Sequence, residues 1–87
     1  METRVAVIGI IIDNSDSIEE MNKTLHEYSE YIIGRMGIPY RQKGISIISI
    51  AVDAPQDVIS ALSGSIGRID GISAKTAYSN CIFKDNQ

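Results

Sequence analysis

The chain has 87 residues, 44% of them apolar and 22% charged, which leaves room for one globular domain and excludes an extended disordered protein. A net charge of −3 argues against a surface built to hold nucleic acid, so autonomous nucleic-acid binding is not expected. The longest apolar run, Val5 to Ile12 with Gly9 inside it, is far shorter than the ~20 residues that span a bilayer, so no membrane partner is expected.

The first element is a strand over residues 4–12, rich in β-branched side chains and stopped by the turn residues Asp13, Asn14 and Ser15. A helix follows, with Asp16 and Glu19 spaced for a capping box. Its apolar stripe is Ile18, Met21, Leu25 and Tyr28, and Glu19, Glu20, Lys23 and Glu27 form the solvated face. Tyr31 to Met36 reads as a short second strand interrupted by Gly34, and Gly37 to Gly44 as a connection holding Pro39. Residues 45–52 form a third, densely β-branched strand.

A second helix begins near Pro55, which suits a first helical turn because its missing N–H is not needed there. Val58, Ile59, Leu62 and Ile66 are its apolar face, and Gly67 is placed to end it. Residues 72–78 make a fourth strand. The expected organisation is one domain over residues 1–79 and a polar C-terminal tail over 80–87 with no element of its own.

The order β-α-β-β-α-β is the split arrangement of an α+β, ferredoxin-like fold: a four-stranded antiparallel sheet with two helices on one face. The two densest apolar runs, the first and third strands, belong at its centre. The second and fourth, which carry Gly34, Arg35, Ser73 and Lys75, belong at its edges.

A sheet covered on one face should alternate apolar and polar residues. The first strand instead has two apolar rows, Val5, Val7 and Ile11 on one side and Ala6, Ile8, Ile10 and Ile12 on the other. One row must be exposed in a two-layer monomer, which points to a homo-oligomer, dimer or tetramer. The pattern does not say which row meets the helices.

Tests for chemistry are negative. The sole histidine, His26, lies mid-helix and lacks a second imidazole, so no metal site is expected within one chain. The sole cysteine, Cys81, rules out an intramolecular disulfide and has no base near it in sequence. Neither a nucleophile elbow, a dinucleotide fingerprint nor a phosphate loop is present, so no catalytic residue and no cofactor is expected. No cationic leader precedes an apolar stretch, and the expected location is the cytoplasm.

Residues 34–44 hold three cations and no acid, against six acids and one lysine in residues 13–30. Arg35, Gly37, Tyr40 and Arg41 are therefore candidate ligand-binding residues, with guanidinium groups for an anion and a ring for a flat ligand. The bland alternative is a hairpin whose charges keep an edge strand soluble. Asp13 and Asn14, in the turn after the first strand, are the second candidate position, although capping also explains acids there.

The strings Arg-Val-Ala-Val-Ile-Gly-Ile-Ile at 4–11, Leu-His-Glu-Tyr at 25–28 and Tyr-Ile-Ile-Gly-Arg-Met-Gly-Ile-Pro-Tyr-Arg at 31–41 carry a resemblance. So do Ile-Ser-Ile-Ala-Val-Asp-Ala-Pro at 48–55, Asp-Val-Ile-Ser-Ala-Leu at 57–62 and Lys-Thr-Ala-Tyr-Ser at 75–79. Over nearly its whole length the chain resembles a family of small ACT-like regulators of the iron-only hydrogenase system. The resemblance implies an ACT-like version of the ferredoxin-like fold, related to the C-terminal domain of nickel-responsive repressors. It also implies oligomerisation and a regulatory role.

Two features depart from these relatives. The turn Asp13-Asn14-Ser15-Asp16 lacks the Pro-Gly of amino-acid-sensing ACT domains, and there is no His/Cys cluster or ribbon-helix-helix segment of the repressor kind. The expectation is a non-catalytic regulatory domain that answers to a small molecule or a protein partner. Its rival is a purely structural interaction module with no ligand.

Overall fold

The computed structural model describes the backbone of residues 2–84 and the side chains of residues 2–80. Strand β1 (Glu2–Ile12) runs through the apolar opening segment, and its even-numbered residues Ala6, Ile8, Ile10 and Ile12 are buried while the odd-numbered ones point away. Strand β3 (Ile45–Ala54) repeats the pattern with Ile48, Ile50, Val52 and Ala54. The two strands pair antiparallel with Ile8 opposite Ile50 and Ile10 opposite Ile48, so the buried rows are continuous across the sheet centre.

Helices α1 (Ile18–Glu27) and α2 (Gln56–Gly67) close over that row. Met21 and Leu25 from α1, and Ile59, Leu62 and Ile66 from α2, join it in one core. Each fully buried Ile or Leu there contributes about 1.5–3 kcal/mol over its exposed state. Strands β2 (Ile32–Tyr40) and β4 (Ile72–Lys84) complete the sheet in the order β2-β3-β1-β4. The expected fold and the expected central and edge strands are both found, and the row facing the helices is Ala6, Ile8, Ile10 and Ile12.

Local details differ from the sequence expectations. The Asp16–Glu19 capping box is not formed. The Asn14 side chain accepts from the Asp16 amide at 3.0 Å and opens a 3-10 turn over Ser15–Ser17. Helix α1 then starts at Ile18, with the Ser17 hydroxyl donating to the Asp70 carbonyl instead of capping the helix. Pro55 sits just before α2 rather than inside its first turn, and its carbonyl accepts from the Val58 and Ile59 amides. Gly67 is the last helical residue, but the glycine that reverses the chain is Gly71, with φ 79°.

Strand β2 runs four residues beyond the expected end at Met36, through Pro39 to Tyr40. An edge strand tolerates the missing proline N–H because half of its amides point away from the sheet. The connection is thereby reduced to a 3-10 turn over Arg41–Lys43 and Gly44, whose φ is 66°.

The fourth strand also outlasts its expected end at Tyr78. After a register shift between Arg4 and Ala6 it pairs again, with Arg4 opposite Ile82 and Glu2 opposite Lys84. The polar residues Ser79 and Asn80 fall in that irregularity, which is why they read as the start of a tail. Residues 85–87 lie outside the described part.

Candidate functional site: a polar cleft and an uncovered sheet face

Strand β2 divides the expected recognition segment between two surfaces. Side chains alternate along a strand, and the register places Arg35 opposite Ile50 and Gly37 opposite Ile48, on the side of the helices. Tyr40 pairs with Ile45 on the other side, beside Ile38 opposite Ile47 and Met36 opposite Ser49. Arg41 and Lys43 stand in the hairpin turn, exposed. Arg35, Tyr40 and Arg41 are therefore not brought onto one surface.

Arg35 instead reaches α1, where its Nη2 donates to Asn22 Oδ1 at 3.2 Å. The two residues border a cleft of about 460 Å³ with Leu25, His26, Ser29 and Ile32. Leu25 and Ile32 supply an apolar floor, and Asn22, His26, Ser29 and Arg35 supply polar atoms around it. The cleft opens where α1 ends at Glu27 and a 3-10 turn over Ser29–Tyr31 leads into a bulge of β2 between Ile32 and Gly34. Asn22, His26 and Ser29 were not candidates on sequence grounds. The one signal available was the spacing of Asn22 and His26, four apart on a helix flank.

Asp13 and Asn14 occupy a closed turn. The Asp13 amide donates to the Gly71 carbonyl at 2.9 Å, and a Cβ placed on Gly71 would lie 2.6 Å from Asn14 Cβ and 3.1 Å from Asp13 Oδ1. The Asp13–Gly71 bond ties the first turn of the chain to the last, and Asn14 Oδ1 accepts from the Asp16 amide within the first.

Among the described residues no helix covers the far side of the sheet. Val7, Ile11, Met36, Ile38, Tyr40 and Ile47 are exposed there, with Ile11, Ile47 and Ile38 in one row across three strands. At its centre Gly9 lies between Ser49 and Lys75 on the neighbouring strands, and the missing side chain of Gly9 and the short one of Ser49 leave an apolar hollow of about 330 Å³ rimmed by Ile11, Ile47, Ser73 and Lys75. The outward positions of residues 5–11, 34–40, 45–53 and 73–77 include just two charges, Lys75 and Asp53.

At the end of the sheet Arg4 clasps three elements. Its Nη1 donates to Gln56 Oε1 at 2.9 Å, its Nη2 donates to the Ser79 carbonyl at 2.9 Å, and its guanidinium lies 4.6 Å from the centre of the Tyr78 ring. Among the described residues there is no group of three His, Cys, Asp or Glu side chains able to hold a metal, and no helix long and apolar enough to cross a membrane.

Four antiparallel strands under two helices, with a polar cleft on one side and a bare apolar face on the other, define an ACT-like α+β domain of the ferredoxin-like class. Residues 4–76 match the TM1266-like family, described as "Iron-only hydrogenase system regulator, putative", and the chain belongs to that family. It is similar to the uncharacterized protein TM1266 from Thermotoga maritima, at 34% identity, a TM-score of 0.84 and coverage of 87% of this chain and 96% of that one. A formyltetrahydrofolate deformylase from Pseudomonas putida KT2440 shares the fold at 13% identity and a TM-score of 0.64. The match covers 88% of this chain and 29% of the deformylase. No curated protein matches the chain.

Proposed function

We propose that this chain is a non-catalytic regulatory domain that works as a homo-oligomer, assembled through the uncovered sheet face, and that it acts on the iron-only hydrogenase system of its family description. The carrying observation is the exposed row Ile11, Ile47 and Ile38 with its apolar surroundings. A four-stranded sheet is about 19 Å wide at ~4.8 Å per strand, and nine-residue strands such as β2 run about 30 Å. Such a face offers roughly 600 Å² in projection and more as accessible surface, close to the ~800 Å² per partner of a standard interface.

A second copy of the same chain is the occupant this surface favours. With two charges among the outward positions, it offers a foreign charged partner little to pair with, while two identical apolar faces desolvate each other without stranding many ions. The deciding experiment is sedimentation equilibrium at tens of micromolar. A dimer or larger assembly is expected, and a strictly monomeric protein would refute the reading.

A further inference from the structure

We propose that the cleft between α1 and β2 is a binding site for a small aliphatic carboxylate, anchored by Arg35. The inference rests on the reading of the domain as a regulator, takes the small-molecule side of the expectation that it answers to a small molecule or a protein partner, and names the ligand class.

Charge is the first ground. The chain carries a net charge of −3, and α1 itself bears Glu19, Glu20 and Glu27, yet none of the six residues lining the cleft is acidic. What lines it instead is a guanidinium, an imidazole, an amide and a hydroxyl, on three different elements.

Orientation is the second. The hydrogen bond from Arg35 Nη2 to Asn22 Oδ1 directs the guanidinium along the cleft wall, and it uses one of five N–H donors. Because Asn22 accepts through its oxygen, its own NH2 is the group left to donate to a bound molecule. A planar fork beside a second donor suits the two oxygens of a carboxylate.

The floor decides between anions. Ile32 is half-buried in the cleft beside the buried Leu25, so a bare inorganic anion would satisfy the donors and leave the Ile32 hydrocarbon in contact with water. A carboxylate with a short branched tail meets both. The cleft volume of about 460 Å³ falls within the ~300–1,000 Å³ of small-molecule sites. The site also lies on the side of the sheet opposite the bare face, so it remains open when that face is covered.

The test is a ¹H–¹⁵N NMR titration of the full chain with acetate, isovalerate and hexanoate, with inorganic phosphate and 3-methylbutan-1-ol as controls. Saturable shifts are expected in the amides of residues 22–35 with isovalerate, and binding of both controls at least about tenfold weaker. Arg35→Ala should weaken isovalerate at least about tenfold, Arg35→Lys should recover part of the loss, and Asn22→Asp, which places a carboxylate against Arg35, should abolish binding. Both positions, Arg35 and Asn22, are exposed, so the three variants are expected to fold, and their spectra report it directly.

Absence of binding by every carboxylate, an Arg35→Ala affinity equal to wild type, phosphate binding as tightly as isovalerate, or shifts centred on Asp13 and Asn14 would each overturn the assignment. Sedimentation of the same samples separates the two proposals. Loss of the cleft with association intact refutes this inference alone, whereas a monomer that still binds isovalerate refutes the assembly alone.

Discussion

Gly71 and Asn14 touch so closely that no side chain fits between them: a Cβ on Gly71 would come within 2.6 Å of Asn14 Cβ. Gly71 also holds φ at 79°, a conformation that side chains resist. Gly71→Ala therefore combines a backbone penalty with a clash and should cost about 1–3 kcal/mol in urea unfolding. Gly44, with φ 66° but nothing within 4 Å, separates the two effects. Gly44→Ala should cost about 1 kcal/mol, and Gly44→Asn less.

Neighbouring residues of β1 should answer to lysine in opposite ways. Ile10 is fully buried and Ile11 is 46% exposed on the bare face. Ile10→Lys buries a charge without a partner and should unfold the domain, a loss of more than about 4 kcal/mol that removes the folded circular-dichroism spectrum. Ile11→Lys should leave the spectrum intact and move the sedimentation mass toward monomer. A folded, associated Ile11→Lys protein would remove the sheet face from consideration.

Arg4 is the third test. Its contacts with Gln56, the Ser79 carbonyl and the Tyr78 ring tie β1, α2 and the irregular part of β4 together. Arg4→Ala should lower stability by about 1–3 kcal/mol and speed amide exchange in β4 beyond Tyr78. Lysine has no fork to reach two acceptors at once, so Arg4→Lys should recover little. Equal exchange in wild type and Arg4→Ala would show that the strand end holds without this clasp.

Metal should be irrelevant to stability, since His26 lies in the cleft with Asn22, Ser29 and Arg35 and, among the described residues, no cluster of metal-ligating side chains forms. Chelator treatment should leave Tm unchanged, and protein purified without an affinity tag should hold no stoichiometric nickel, zinc or iron. Metal retained by wild type and lost in His26→Ala would contradict this.

Much of the architecture was legible because β-branched runs and helical spacing speak for themselves. The runs around Ile8 and Ile48, and the stripe through Met21 and Leu25, mark elements wherever they occur. Strand ends were harder to read. Pro39 looks like a breaker until β2 is known to be an edge, and Ser79-Asn80 looks like a tail until Ile82 is seen to pair again across from Arg4. Local competition moved the helix start, because Asn14 took the Asp16 amide that a capping box needs.

The two rows of β1 were visible in sequence but equivalent there, since hydrophobicity alone does not say which row a helix will cover. Of the cleft, Arg35 was legible as a cation in an acid-free stretch. Its companions come from two other elements, Asn22 and His26 from α1 and Ser29 from the 3-10 turn, and only that turn and the bulge after Ile32 bring them opposite it.

Arg35 and Met36 are separated by one peptide bond and serve different compartments, the cleft on one side of β2 and the bare face on the other. A twist of this edge strand that suits one residue is felt at once by the next. If filling the cleft tightens association by some factor, association must tighten the cleft by the same factor, because linkage between two binding equilibria is reciprocal. The abundance of the protein itself would then act as an effector: at low copy number the subunits would respond weakly to their ligand, and at high copy number the same ligand level would suffice to saturate them.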